Sequence, residues 1–131
     1  MEQITIIKIG GNVIDNEEVL NAFLQRFAAI EGQKILVHGG GKLASRLQKE
    51  LGQEVIDGRR VTDRATLDVV TMVYAGLVNK QIIAKLQAAG CNAIGLSGAD
   101  GNIVRAHRRA AKPIDYGFVG DVTTVNGDFL H

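Results

Sequence analysis

The chain has 131 residues, 46% of them apolar and 22% charged, which is enough apolar material for one ordinary globular domain. Fifteen Lys and Arg against 14 Asp and Glu leave a formal net charge of +1, so composition gives no electrostatic basis for binding nucleic acid or an anionic membrane. The lone cysteine, Cys91, excludes an internal disulfide. With no basic leader and no run of about 18 apolar residues, the expected setting is soluble and cytoplasmic.

The first predicted element is a buried strand from Ile4 to Ile9, β-branched and interrupted only by Lys8. Asp15 or Asn16 is the candidate cap of a helix whose first turn holds Glu17 and Glu18. Leu20, Phe23, Leu24 and Phe27 recur there at helical spacing, and Gly32 closes the element. Residues 34–37 give a second strand. A helix over about residues 42–51 follows, with Leu43 and Leu47 turned inward. This β-α-β-α alternation predicts a parallel sheet covered by helices.

Residues 54–61 then read as a hairpin turning at Asp57-Gly58. Thr62 or Asp63 caps a long helix that runs to about Ala89 and ends at Gly90. That helix is apolar nearly all round, from Leu67 to Leu86, and therefore needs cover on two sides. The second side meets either a partner subunit across a two-fold axis or further chain. Residues 92–96 are expected to form another strand, and beyond Gly98 the pattern becomes rich in short strands and turns. Asn126-Gly127-Asp128 followed by Phe129-Leu130 reads as a turn and the start of a helix at the chain's end, as in a fragment of a longer protein.

Two glycine-rich turns carry the chemistry. Lys8-Ile9-Gly10-Gly11-Asn12 ends the first strand and His38-Gly39-Gly40-Gly41-Lys42 ends the second. Glycines at strand ends let the backbone approach a ligand and leave several N–H groups facing one way, and a helix starting there adds its positive end. Two such turns point to two anionic groups brought together, as a phosphoryl transfer requires. Lys8 is costly inside an apolar strand unless its ammonium reaches water or a polar pocket. It supplies a point charge for a phosphoryl group, against the simpler reading of a lysine facing solvent.

Neither G-x-x-x-x-G-K-[ST] nor G-x-G-x-x-G is present, which sets aside a P-loop and a dinucleotide fingerprint. His38-Gly39-Gly40-Gly41 with Gly95-Leu96-Ser97-Gly98-Ala99 also invites an esterase reading, an oxyanion turn and a nucleophile elbow. About 34 residues after Ser97 leave too little chain for the acid, the histidine and the helix that reading needs. His38 therefore reads as a residue that orients its loop. Arg60 closes a polar corner before the long helix and suits a bidentate grip on a carboxylate, with Arg59 the solvated neighbour. Arg105, His107, Arg108, Arg109 and Lys112 read as a solvated basic face, and Asp100 and Asp121 as turn residues.

Taken in order, Lys8-Ile9-Gly10-Gly11-Asn12, His38-Gly39-Gly40-Gly41, Gly58-Arg59-Arg60-Val61-Thr62, Tyr74-Ala75-Gly76-Leu77-Val78-Asn79-Lys80 and Gly95-Leu96-Ser97-Gly98-Ala99-Asp100-Gly101 resemble the amino acid kinase family over essentially the whole chain. The resemblance implies an α/β three-layer sandwich with a mainly parallel central sheet, of which residues 1–131 are the N-terminal, acceptor-binding and dimerising half. It implies transfer of the γ-phosphoryl group of ATP, carried with Mg2+, to the side-chain carboxylate of an N-acyl-L-glutamate. No protein metal site is implied. Residue by residue, Lys8 would stabilise the transition state and the Gly10 and Gly11 amides would hold the phosphoryl group. The Gly40 and Gly41 amides would hold the acceptor, and Arg60 its α-carboxylate. The nucleotide-binding half has no match here, so the 131 residues alone are expected to be inactive. The arginine-insensitive dimeric type is implied, joined through the helix at residues 63–89. A sibling kinase of the family and a non-catalytic binding or assembly module are the competing readings.

Overall fold

In the computed structural model, residues 3–50, 52, 55, 56 and 59–130 are described, with residues 55, 59 and 60 described by their backbone. Strand β1 (Thr5–Lys8) pairs in parallel with β2 (Lys34–Val37), Thr5 opposite Lys34 and Lys8 opposite Val37. Backbone bonds Thr5 N to Gln33 O (2.9 Å) and Ile9 N to Val37 O (2.8 Å) extend the ladder at both ends. A single-turn helix α1 (Gly11–Ile14) then precedes α2 (Glu17–Ala28). The two candidate caps divide their labour. Asn16 caps α2 by accepting from Val19 N at 3.1 Å, whereas Asp15 reaches elsewhere. At the other end of α2, the Lys34 ammonium donates to the carbonyls of Ala28 (2.8 Å) and Ile30, the ends that a helix leaves without partners.

Helix α3 (Gly41–Glu50) follows β2 directly. Its buried residues are Ala44 and Gln48, while Leu43 and Leu47 pack half-buried at its flanks, one position off the expected inward stripe. The two-residue strands β3 (Val55–Ile56) and β4 (Arg59–Arg60) pair antiparallel, as a hairpin requires; its expected turn at Asp57-Gly58, and the end of the α3 prediction at Leu51, lie outside the described residues.

The long helix α4 (Arg64–Ala88) is capped by Asp63, which accepts from Thr66 N (2.8 Å) and Thr66 Oγ1 (2.6 Å), and Gly90 terminates it at φ +75°. Its middle stretch, Thr71–Val78, is wound as a π-helix, so that Asn79 N–H reaches Tyr74 O five residues back. The helix is long and apolar enough by composition to cross a bilayer. Here its Val73, Val78, Ile82 and Leu86 instead join Leu20, Leu24 and Phe27 of α2 in one core, with Ile7 and Leu36 of the parallel strands packed against it.

Residues 92–96 form no strand. The carbonyls of Gly95 and Leu96 accept instead from side chains of α4, and Ile94 stands 79% exposed. The α/β class and parallel pairing hold, but among the described residues the parallel part is the β1–β2 pair and an isolated bridge between Thr62 and Gly117. The outer face of the pair stays open, with Ile6 66% exposed. Strands β5 (Val104–Arg108) and β6 (Gly120–Val125) form an exposed antiparallel hairpin. It is anchored to the start of α4 by Thr62 N to Tyr116 O (2.9 Å) and Phe118 N to Thr62 O (2.7 Å). A single 3-10 turn, Gly127–Leu130, stands where the sequence promised a helix start.

Candidate functional site

The parallel pairing sets the ends of β1 and β2 side by side, and both glycine turns therefore leave the sheet at the same edge. Their backbones adjoin: a methyl placed on Gly11 would lie 3.6 Å from Gly41 Cα. Asp15 fills the seam. Its Oδ1 accepts from Lys42 N at 2.7 Å, at the N-terminus of α3, while its other oxygen would meet a methyl on Gly11 at 3.4 Å. One of the N–H groups that the sequence offered to an external anion is thus taken by the protein's own carboxylate.

The glycines are required by what surrounds them. Gly41 sits at φ +64°, and a Cβ there would come within 2.4 Å of Asp15 Oδ1. A Cβ on Gly40 would lie 1.8 Å from the Tyr74 ring, so the aromatic face of α4 lies directly on the turn. Among the described residues, no acceptor meets the backbone N–H groups of Gly10, Gly11, Gly40 or Gly41.

Lys8 closes β1 opposite Val37, and its side chain is exposed rather than packed into the core. Arg60 lies in β4 opposite Val55, two residues before the Thr62 anchor; its side chain is outside the described residues. His38 does orient its loop. Its Nδ1 lies 2.9 Å from Gly39 O and its Nε2 lies 3.1 Å from Asn79 Nδ2.

Asn79, 93% buried in α4, was named in the sequence without a role. Besides His38 it meets Leu96 O at 3.4 Å, and Lys80 Nζ donates to Asn79 Oδ1 (3.0 Å) and to Gly95 O (2.9 Å). An asparagine inside an apolar helix is a poor helix former and is hydrogen-bonded when buried, which is the signal that could have found it. Asp15 and Tyr74 gave no such signal.

The remaining candidates resolve into local structure. Ser97 Oγ donates to Asp100 Oδ2 at 2.8 Å and Ser97 N to the same oxygen at 2.6 Å, which holds the Asp100 carboxyl below its ordinary range. A short 3-10 turn at Asp100–Asn102 follows, not the helix of a nucleophile elbow. Arg109 pairs with Asp121, and Arg108 with Asp115 at 3.1 Å, so two of the five members of the basic face are neutralised on site. Asp115 is held low by the Gly117 N–H and by Arg108.

The class defined by this arrangement is an α/β domain with two adjoining glycine turns at the end of a parallel strand pair. The profile of the Amino acid kinase family matches residues 3–131, and the chain belongs to that family. It is 59% identical over 131 residues to the acetylglutamate kinase of Phocaeicola vulgatus, covering 98% of this chain and 51% of that protein. It is 58% identical over 129 residues to that of Cytophaga hutchinsonii (96% and 49%) and 45% identical over 131 residues to that of Methanopyrus kandleri (95% and 50%). The chain therefore spans about half the length of the curated relatives it matches. Among solved structures it resembles smu.665 of Streptococcus mutans UA159, with a TM-score of 0.78 and 29% identity over 99% of this chain and 54% of that one. It shares its fold with N-acetylglutamate synthase of Neisseria gonorrhoeae, at a TM-score of 0.67 and 20% identity over 97% of this chain and 30% of that one.

Proposed function

We propose that the chain is the acceptor-binding part of an N-acetyl-L-glutamate kinase, which moves the γ-phosphoryl group of ATP onto the side-chain carboxylate of the acylated amino acid in arginine biosynthesis. The observation that carries the reading is the seam between the glycine turns, where two strand ends lie side by side and their glycine amides meet no described acceptor. Membership of the family and the kinship with acetylglutamate kinases support it.

The acceptor is already a carboxylate, so the reaction needs no general base; it needs two anions held in line and their charge neutralised. In this reading the Gly40 and Gly41 amides hold the acylglutamate and Arg60 its α-carboxylate. The Gly10 and Gly11 amides take the phosphoryl group, and the Lys8 ammonium stabilises charge developing between them. Its exposure in the chain leaves it free to reach that locus. Mg2+ enters with ATP as part of the substrate. Nucleotide-holding residues belong to the part of the relatives' length that this chain does not span, so the 131 residues bind acceptor without turning it over. The enzyme works in the cytoplasm, with no membrane or nucleic-acid partner, as a homodimer joined through α4. On that helix the apolar residues Met72 and Leu77 stand 62% and 44% exposed beside the core-forming Val73 and Val78.

Calorimetric titration with N-acetyl-L-glutamate and N-succinyl-L-glutamate tests the assignment. Binding of the acetyl compound, weakened at least about tenfold in Arg60→Ala by loss of a charge-assisted pair, is expected. Unchanged affinity in that variant removes Arg60 from the site, and phosphorylation of the acylglutamate by the 131-residue chain with MgATP overturns the division of labour.

A further inference from the structure

We infer that Asn79 is a positioning residue for the acceptor turn: through His38 it fixes the direction in which the Gly40 N–H points. The inference rests on the acceptor-binding reading of that turn, but its first link is independent of any ligand. Lys80 Nζ carries only donors, so the Asn79 atom 3.0 Å from it is the carbonyl oxygen. The Asn79 amide nitrogen therefore faces His38 Nε2 at 3.1 Å, and Nε2 must present a lone pair to it. The imidazole proton then sits on Nδ1, where it is donated to Gly39 O at 2.9 Å. The contacts thus specify one tautomer of His38, and Lys80 is what orients the group that specifies it.

The second link is geometric. The Gly39–Gly40 peptide is trans, so its carbonyl and its N–H point in opposite directions from one plane. A bond that ties Gly39 O to the imidazole points the Gly40 N–H away from His38, where no described acceptor meets it. Without that tie, two consecutive glycines either side of this peptide leave the plane free to rotate at low cost. The Tyr74 ring occupies the space that a side chain on Gly40 would take but makes no hydrogen bond to the peptide. Burial makes the network costly to leave half satisfied, which gives the positioning its stiffness.

The test compares the wild-type chain with Asn79→Ala and Asn79→Asp, the second nearly isosteric and still an acceptor for Lys80. Three readouts are the ring 15N shifts of His38, the amide cross-peak of Gly40, and calorimetric affinity for N-acetyl-L-glutamate. Wild-type His38 is expected to be protonated on Nδ1 and not on Nε2. In Asn79→Asp the ring nitrogen facing position 79 should gain a proton, the Gly40 cross-peak should move, and affinity should fall about tenfold. Should Asn79→Ala fail to fold, the aspartate variant carries the same readouts. A variant that loses thermal stability while His38, Gly40 and affinity stay as in the wild type overturns the positioning role, as does a wild-type His38 protonated on Nε2. If the wild-type chain binds no acylglutamate while the His38 and Gly40 signals respond as stated, it is the acceptor-binding reading that fails and the positioning device that stands.

Discussion

Replacing Gly41 by alanine perturbs the seam between the turns at its tightest point. Two costs can be separated. At φ +64° any side chain adds about 1–2 kcal/mol for left-handed backbone. The new Cβ would also stand 2.4 Å from Asp15 Oδ1, so the carboxylate must swing away and give up its 2.7 Å bond to Lys42 N. Losing a helix-capping carboxylate of this kind costs about 1–2 kcal/mol. The sum is about 2–4 kcal/mol, a large share of a small domain's stability. Urea unfolding of Gly41→Ala, Asp15→Ala and the double variant resolves the terms. In the Asp15→Ala background the clash with the carboxylate and the capping bond are both gone and only Ile14 Cγ2, 3.2 Å from the new Cβ, remains close, so Gly41→Ala should cost little beyond its backbone term of about 1–2 kcal/mol. Strict additivity of the two substitutions would refute the claim that Asp15 ties the turns together.

Other outcomes follow from the same structure. Gly40→Ala drives a methyl into the Tyr74 ring, and Tyr74→Ala should restore part of the lost thermal midpoint when combined with it. Lys34→Met removes the ammonium that donates to the carbonyls of Ala28 and Ile30 and lies 5.4 Å from the Phe27 ring centroid, and should lower stability by about 1 kcal/mol in chemical unfolding. Asp100 and Asp115 are both held below the ordinary aspartate value of 3.8, Asp100 by Ser97 and Asp115 by the Gly117 N–H and then Arg108. A carboxyl depressed on folding stabilises the fold above its unfolded value and ceases to do so as pH falls through its folded value. Thermal midpoints measured from pH 5 to pH 2.5 should therefore fall less steeply in an Asp100→Asn, Asp115→Asn variant than in the wild type; identical slopes would contradict it. Met72→Glu should shift sedimentation toward the monomer if α4 joins two copies, and an unchanged sedimentation coefficient would place that contact elsewhere.

Much of this was legible because it is local. Asn16 capping α2, strand β2 at Lys34–Val37, Asp63 opening α4 and Gly90 closing it all follow from residues within a turn of one another. The glycine turns and their proximity followed from β-α-β order, which puts successive parallel strand ends at one edge. What was not legible is non-local. Asp15 bonds to Lys42 across 27 residues and Asn79 to His38 across 41, and no spacing in the chain announces either. The expected strand at residues 92–96 failed for a related reason: apolar alternation marks a segment fit for a sheet, but pairing needs a neighbouring strand. Here Asn79 and Lys80 side chains take its carbonyls.

The central claim is that the amides of the second glycine turn receive an acylated amino acid beside the first. A titration of the 15N-labelled chain with N-acetyl-L-glutamate, followed by amide cross-peaks, addresses it directly. Saturable shifts should concentrate at Gly40 and Gly41 and extend to Gly11 across the seam, leaving the far end of α2 unmoved. Shifts confined to the β5–β6 hairpin, or none at saturating ligand, would contradict the account.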